Sequence, residues 1–351
     1  MSTAESREAK RPTLSVVARA AGVSTATASK VLNNRPDVAA DTRRRVAAAL
    51  RDHGYEPTTG PRDAVAVPAI NAVFDTLENI YSTQVLRGIL AAAREMGIDV
   101  VVEELVKIGA PRGAGDTRLS PAWIDSLAMR RRLGALVVTT ALDRAQVRAF
   151  QRAELLVVAV DPPNAIDDSI VSVASSNFAG GAQAANHLLE LGHRRIALAN
   201  GPATHPTARQ RAHGFRSALE AADIVPNNAL MLHGQFTYGS GVAMGLELLG
   251  RAAPPTAIFA GSDLTALGVL EAARQRSVRV PEGLSVVGYD DIPAALWSAP
   301  PLTTVRQNMT GLGQVAVRTL VQQSEGQEPV SHRIELATSL VERQSTAPPA
   351  R

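Results

Sequence analysis

The stretch "GVSTATASKVLNNRPDVAADTRRRV", residues 22–46, decides how the first part of the chain folds. It is too polar for a core helix and too regular for a loop. Upstream, Thr13 is predicted to cap a first helix that carries Val16, Val17 and Ala20 on one face. Gly22 then lets the chain turn sharply, because glycine tolerates a positive φ. Ser24 is a good N-cap for a second helix from Thr25 to about Leu32, since its hydroxyl accepts from an N–H of the first turn. Ala28, Val31 and Leu32 form the apolar side of that helix; Thr25, Ala26, Ser29 and Lys30 form the outward side. Asp41 or Thr42 starts a third helix whose Val46, Ala49 and Leu50 close a small core. Two short helices about a glycine turn make a helix-turn-helix, whose second helix enters a major groove. Small residues at its start permit close approach. Threonine can bond a base edge or touch a thymine methyl, and lysine reaches guanine acceptors. Arginines 43, 44 and 45 cannot all be buried and must face phosphate or solvent.

Charge is spread unevenly. Residues 1–62 hold 11 Lys/Arg and 6 Asp/Glu, whereas the remaining 289 hold 25 and 27. A basic module on a near-neutral body implies a polyanionic partner for the module, the alternative being a solvated basic face. With no cysteine among 351 residues, disulfides and thiolate metal sites are excluded. No apolar run reaches the roughly 18 residues of a membrane span. The charged "MSTAESREAKRP" lacks the apolar segment of a secretory signal, so a cytoplasmic location is expected.

Residues 1–11 are expected to be a disordered tail, 12–57 the helical head, and 58–68 a Pro/Gly/Thr-rich linker. Beyond it, short apolar runs such as "AINAVF", "GALVVTT", "LLVVAVD", "RIALANG", "AIFAGSD" and "LSVVGYD" alternate with helical stretches. That pattern predicts parallel sheets covered on both faces. There are too many strands for one small sheet. The expected fold is therefore an all-α helix-turn-helix head followed by an α/β body of two doubly wound parallel-sheet lobes. The N-lobe is placed at about 69–172 and 304–330, the C-lobe at about 173–303 and 331–346. Several strands end in polar residues: Asp75, Asp161, Asn200, Ser262 with Asp263, and Asp290 with Asp291. Each is either a helix cap or turn residue, or part of a cleft for a hydroxyl-rich ligand beyond the strand ends.

The chain resembles the LacI/GalR family of bacterial transcription regulators over essentially its whole length. Residues 13–57 are similar to the family's DNA-binding head. "STQVLRGILAAAREMGIDVVV" (82–102), "NHLLELGHRRIALANGP" (186–202), "RAHGFRSALEAADI" (211–224) and "PPLTTVRQNMTGLGQVAV" (300–317) look like its successive body motifs. The resemblance implies a dimeric repressor with a periplasmic-binding-protein-like body, no cofactor, no membrane partner and no enzymatic activity. It places base reading on Thr25, Ala26, Ser29 and Lys30, and DNA-backbone contacts on Thr13, Ser24, Thr27, Asn33, Thr42 and Arg43. Relatives carry arginine at the Lys30 position; lysine lacks that rigid bidentate fork. Effector positions fall on Asp75, Asp161, Arg209, Phe236, Ser262 and Asp290. Arg211 and Gly214 match a pattern more often structural. Aspartates and an arginine bond sugar hydroxyls in pairs, and an aromatic ring stacks on a sugar face. Phe236 has an alternative as a core aromatic. Arabinose-, xylose- or xylo-oligosaccharide-type effectors are expected. The tetrameric relatives' leucine heptad tail is missing, so a homodimer is expected.

Two other readings are open to the sequence. A solute-binding protein of a sugar transporter would share the body, but it needs a signal peptide or lipid anchor. "GLGQVA" (311–316) fits a loose G-x-G-x-x-A with Glu335 downstream, but it lacks the strand–turn–helix context of a dinucleotide site and is expected to open a helix.

The hinge departs from the family. Tyr55 and Pro57 are kept, yet Thr58 stands for the usual asparagine and Ala64 for the leucine that wedges into the minor groove. Gly60 and Pro61 interrupt the segment, leaving Arg62, Ala64 and Val65 on a short piece. Alanine is too small to hold a base step open. A weaker central kink and a steep salt dependence of operator binding are therefore expected. Ala64→Leu should raise both affinity and bending in a circular-permutation gel assay. No change there, with a clear loss in Val65→Ala or Val67→Ala, would show that the wedge lies elsewhere.

Overall fold

The computed structural model describes residues 13–32, 35, 38–53, 55, 67–105, 119–164 and 167–350. It divides into two units, 1–67 and 68–351. In the first, α1 (Leu14–Ala20), α2 (Thr25–Leu32) and α3 (Ala40–Asp52) pack through Val17, Ala18, Ala21, Ala28, Val31, Val46 and Ala49. Gly22 takes φ +65° in the turn, as that turn requires. Ser24 caps α2, accepting from the Thr27 N–H at 3.1 Å, a bond whose loss costs about 1 kcal/mol. Three details differ from expectation. Thr13 occupies the N-cap position of α1, but its hydroxyl pairs with that of Ser15 at 2.7 Å and caps nothing. Val16 and Ala20 are exposed, the buried face being Val17, Ala18 and Ala21. The third helix starts at Ala40, ahead of Asp41.

The second unit begins with β1 (Ala69–Phe74), α4 (Ile80–Glu95), β2 (Asp99–Glu104), α5 (Pro121–Met129), β3 (Gly134–Val138), α6 (Arg144–Arg152), β4 (Leu156–Val160) and β5 (Val171–Ser175). Next come α7 (Asn177–Glu190), β6 (Ile196–Asn200), α8 (Pro206–Ala221), β7 (Met231–His233), α9 (Tyr238–Leu249), β8 (Ala257–Ala260), α10 (Asp263–Gln275), β9 (Ser285–Asp290), α11 (Pro293–Trp297) and β10 (Thr303–Arg306). The chain ends with α12 (Met309–Ser324), β11 (Arg333–Leu336) and β12 (Ser339–Val341). Two six-stranded sheets result, in the orders β11-β5-β4-β3-β1-β2 and β12-β10-β9-β8-β6-β7. All neighbours run parallel except β12 against β10. Strands β1, β3, β6 and β8 are buried along their whole length, which explains their unbroken apolar sequences.

In both sheets the strand order reverses beside the first strand, between β1 and β3 and again between β6 and β8. Ligands of open α/β sheets bind outside the carboxyl ends at such switch points. The expected lobe limits shift accordingly. β5 stays in the N-lobe sheet, so the first crossing follows Ser175; β10 joins the C-lobe sheet, while β11 joins the N-lobe sheet. The reason is edge pairing: β11 extends the N-lobe sheet beside β5, and β12 the C-lobe sheet beside β10. These strands, with β7, are three or four residues long and carry no long apolar run.

Candidate functional site

On the head, Thr25, Ala26 and Lys30 are exposed on α2, with Ser29 and Thr27 half-buried beside them. A small-residue helix face that ends in a cation is therefore open to a groove. Thr42 is half-buried, and Arg43 donates to the Arg35 carbonyl at 2.6 Å. Arg44 and Arg45 remain exposed and share Asp41, at 3.2 and 3.9 Å. Asn33, Pro57, Arg62, Ala64 and Val65 lie outside the described residues.

In the body, polar residues at the carboxyl ends of the strands of both lobes converge. On the N-lobe side, Asp75 follows β1 and its Oδ1 accepts from the Thr76 N–H at 2.8 Å and from the hydroxyl of Thr139, which follows β3 across the switch point. Asp161 follows β4, is buried, and accepts from the Tyr81 hydroxyl of α4; its Oδ1 has no hydrogen-bond partner. On the C-lobe side stands Arg211 of α8, also buried. Its Nε donates to Asn177 Oδ1 at 2.9 Å and its Nη1 to the Gly261 carbonyl at 2.5 Å. Nη1 lies 3.9 Å from Asp290 Oδ1. The guanidinium carbon sits 3.6 Å from the Tyr289 ring centroid and 5.5 Å from that of Phe236. The Tyr289 hydroxyl is buried without a partner.

The backbone is strained at the same places. Among non-glycine residues, Thr139, Asp161, Asp290 and Asp291 take positive φ at or just beyond strand ends, with Asp290 at +117°. Such conformations cost of order 1–3 kcal/mol and cluster at ligand sites.

Burial dominates the titration of the cluster. It pushes the Asp290 carboxyl up to about 6, against the pull of Arg211 and of the Gln307 amide. It raises Asp161 too, despite the Tyr81 hydrogen bond and Arg211. The Tyr289 phenol goes up to about 12, and Tyr81 rises well above its usual value, through burial first and Asp161 second. Asp161 acts on Asp290, and Asp290 on Tyr81, so residues of the two lobes feel each other's charge.

The placement of the other predicted effector residues differs. Arg209 is exposed on α8 and makes no side-chain hydrogen bond among the described residues; Arg211, expected to be structural, holds the cleft position instead. Two residues on a helix point roughly 200° apart, so only one of the pair can face inward. Ser262 is buried, and its hydroxyl caps α10 by accepting from the Thr265 N–H at 3.2 Å. Phe236 is half-buried, with Arg211 and an edge-on His205 beside it. Tyr81, Thr139, Asn177, Tyr289 and Gln307 were missed. The chain has only four tyrosines; Tyr81 directly precedes a run read as helix and Tyr289 lies inside one read as strand, and that scarcity was the available signal. Among the described residues no group of acids or histidines can hold a metal ion, and no helix is long and apolar enough to cross a membrane.

A helix-turn-helix head in one chain with a two-lobed, binding-protein-like body defines a DNA-binding regulator. The sequence model for bacterial regulatory proteins of the lacI family matches residues 13–58, and that for a periplasmic binding protein-like domain matches 185–346. The chain is 34% identical to the transcriptional regulator CelR of Thermobifida fusca, across 96% of this chain and 98% of that one. It is 31% identical to the repressor PurR of Haemophilus influenzae, across 95% and 98%. Among solved structures, the lac repressor dimer bound to operator and the anti-inducer ONPF matches with TM-score 0.74 and 30% identity, over 96% of this chain and 100% of that one. The CelR–cellobiose complex matches with TM-score 0.69 and 32% identity, over 95% and 100%. The chain belongs to the LacI family and is a DNA-binding transcriptional regulator.

The raised Asp290 pKa has a consequence for stability. The folded state holds a proton between about pH 4 and 6 that the unfolded chain has released, so stability falls as pH rises through that window. Asp290→Asn keeps an acceptor for Gln307 and removes the buried charge. It should stabilise the protein by about 1–3 kcal/mol at pH 8 and leave it unchanged at pH 4, read from urea unfolding. An equal loss at both pH values would show that the carboxylate is held by its partners more than it is opposed by burial.

Proposed function

We propose that the protein is a repressor of carbohydrate-utilisation genes whose operator affinity is changed by a small sugar bound between the lobes. The observation that carries this reading is the set Asp161, Arg211 and Asp290 with the aromatic rings of Tyr81, Tyr289 and Phe236. Carboxylates accept from hydroxyls and the guanidinium donates to ring and hydroxyl oxygens, while aromatic faces cover the C–H surface of a sugar. The unpartnered Asp161 Oδ1 and Tyr289 hydroxyl are further bonding capacity for such a ligand. Asp75 joins them at the N-lobe switch point. The CelR relative, solved with cellobiose, supports a plant-derived oligosaccharide over a free pentose.

On DNA, a homodimer reads a pseudo-palindromic operator. Thr25, Ala26, Ser29 and Lys30 face the bases; Thr13, Ser24, Thr27, Asn33, Thr42 and Arg43 face the backbone. Leu296 and Trp297, 58% and 77% exposed at the end of α11, offer apolar surface for pairing. The sugar acts through unequal affinity for two arrangements of the lobes. A cytoplasmic setting follows from the DNA partner.

Two outcomes are expected. Lys30→Ala should weaken operator binding by about 1–3 kcal/mol and relax preference at one base pair, measured by fluorescence anisotropy on a set of single-base operator variants. Equal weakening on every sequence would make Lys30 a phosphate contact. Calorimetry with cellobiose, xylobiose, xylose, arabinose, hypoxanthine and guanine should give heat with a sugar. Heat with a purine alone would overturn the sugar reading, which the PurR relationship makes a fair contest.

A further inference from the structure

Three segments cross between the lobes: β5 to α7, β10 to α12, and β11 to β12. The first two each hold a buried amide side chain, and each amide grips a charge of the cleft. Asn177, 2% exposed, opens α7. Its Nδ2 donates to the carbonyl of Ser175, the last residue of β5, at 2.9 Å, while its Oδ1 accepts from Arg211 Nε at 2.9 Å. Gln307, 5% exposed, directly follows β10. Its Nε2 donates to Asp290 Oδ1 at 2.6 Å, and its Oε1 is buried without a partner. The next residue, Asn308, caps α12, whose Met309 and Leu312 lie in the N-lobe core. The third crossing is different. There the Thr338 carbonyl accepts from Gln183 of α7 at 3.2 Å, with no cleft charge attached.

Thus Arg211 and Asp290, 3.9 Å apart, are tethered by amides to two different crossing segments. A ligand oxygen that engages Arg211 or Asp290 pulls on a group that an amide already holds, even where it uses a remaining N–H of the guanidinium or the second carboxylate oxygen. Each is short and directional, so a shift of the charged group moves the amide and the crossing backbone with it. We propose that Asn177 and Gln307 are positioning residues that transmit the state of the cleft to the angle between the lobes. This rests on the reading of the cleft as an effector site.

The test uses the 351-residue chain, which has no cysteine. Spin labels on Arg148→Cys of α6 and His213→Cys of α8, both exposed and one in each lobe, report the interlobe distance by pulsed electron resonance. Labelled protein is diluted into excess unlabelled protein so that each assembly carries one labelled copy. Asn177→Asp keeps the acceptor for Arg211 and loses the donor to Ser175. Gln307→Leu keeps bulk and loses its donor. Asn177→Ser and Gln307→Met replace either variant if it unfolds, and Gln183→Ala breaks the bond at the third crossing as a control. Without ligand, the Asn177 and Gln307 variants should shift or broaden the wild-type distance distribution, whereas Gln183→Ala should match wild type. With saturating cellobiose as probe, the same two variants should lose roughly tenfold in the ratio of operator affinities without and with sugar. Folded variants with wild-type distances, or an equal shift in Gln183→Ala, would overturn the proposal. If no sugar binds wild type, the effector reading fails, and the ligand-free distances still decide the role of the amides.

Discussion

The guanidinium of Arg211 is the group around which the body is organised. A buried arginine left without partners costs several kcal/mol. Here partners come from three directions: the Asn177 side chain on α7, the Gly261 carbonyl after β8, and the ring of Tyr289 with the Asp290 carboxylate on β9. Bringing these elements so close leaves no space for side chains between them. A Cβ on Gly180 would overlap the Tyr289 ring, one on Gly201 the Phe236 ring, and one on Gly181 the Arg211 backbone. The two glycines of "NFAGGAQAA" are thus explained by close approach at the cleft, with no positive φ involved.

The head and the central strands were legible in the sequence because each rests on a local signal. Gly22 marks a turn, Ser24 a cap, and β1, β3, β6 and β8 are continuous apolar runs buried on both faces. The strand-end residues were legible as a class, through the topology of doubly wound sheets. Which of them face the cleft was not. Ser262 and Asn200 spend their polar atoms on neighbouring backbone, Ser262 capping α10 and Asn200 bonding Gly201 and the Ala208 carbonyl of α8. Asp161 and Asp290 take positive φ, a property of the folded chain that no residue type announces. The choice between Arg209 and Arg211 turns on the phase of α8, as the choice between Val16 and Val17 turns on that of α1. Helical phase is set by tertiary packing, and a run of alternating small and charged residues does not declare it. The short strands β10, β11 and β12 were missed because their stability comes from pairing with neighbours rather than from their own apolar content.

Two sites in one chain regulate each other only if ligand and DNA prefer different arrangements of the same body. The cleft has the features such a body needs: strained strand ends, carboxyls raised by burial, and buried polar atoms without hydrogen-bond partners. Linkage then requires symmetry between the two binding events. The most direct measurement titrates a candidate sugar, cellobiose first, into the free protein and into the protein–operator complex, and in parallel measures operator affinity with and without saturating sugar. The fold-change in sugar affinity caused by operator should equal the fold-change in operator affinity caused by sugar. A sugar that binds both forms equally, while operator affinity stays unchanged, would contradict a regulatory cleft.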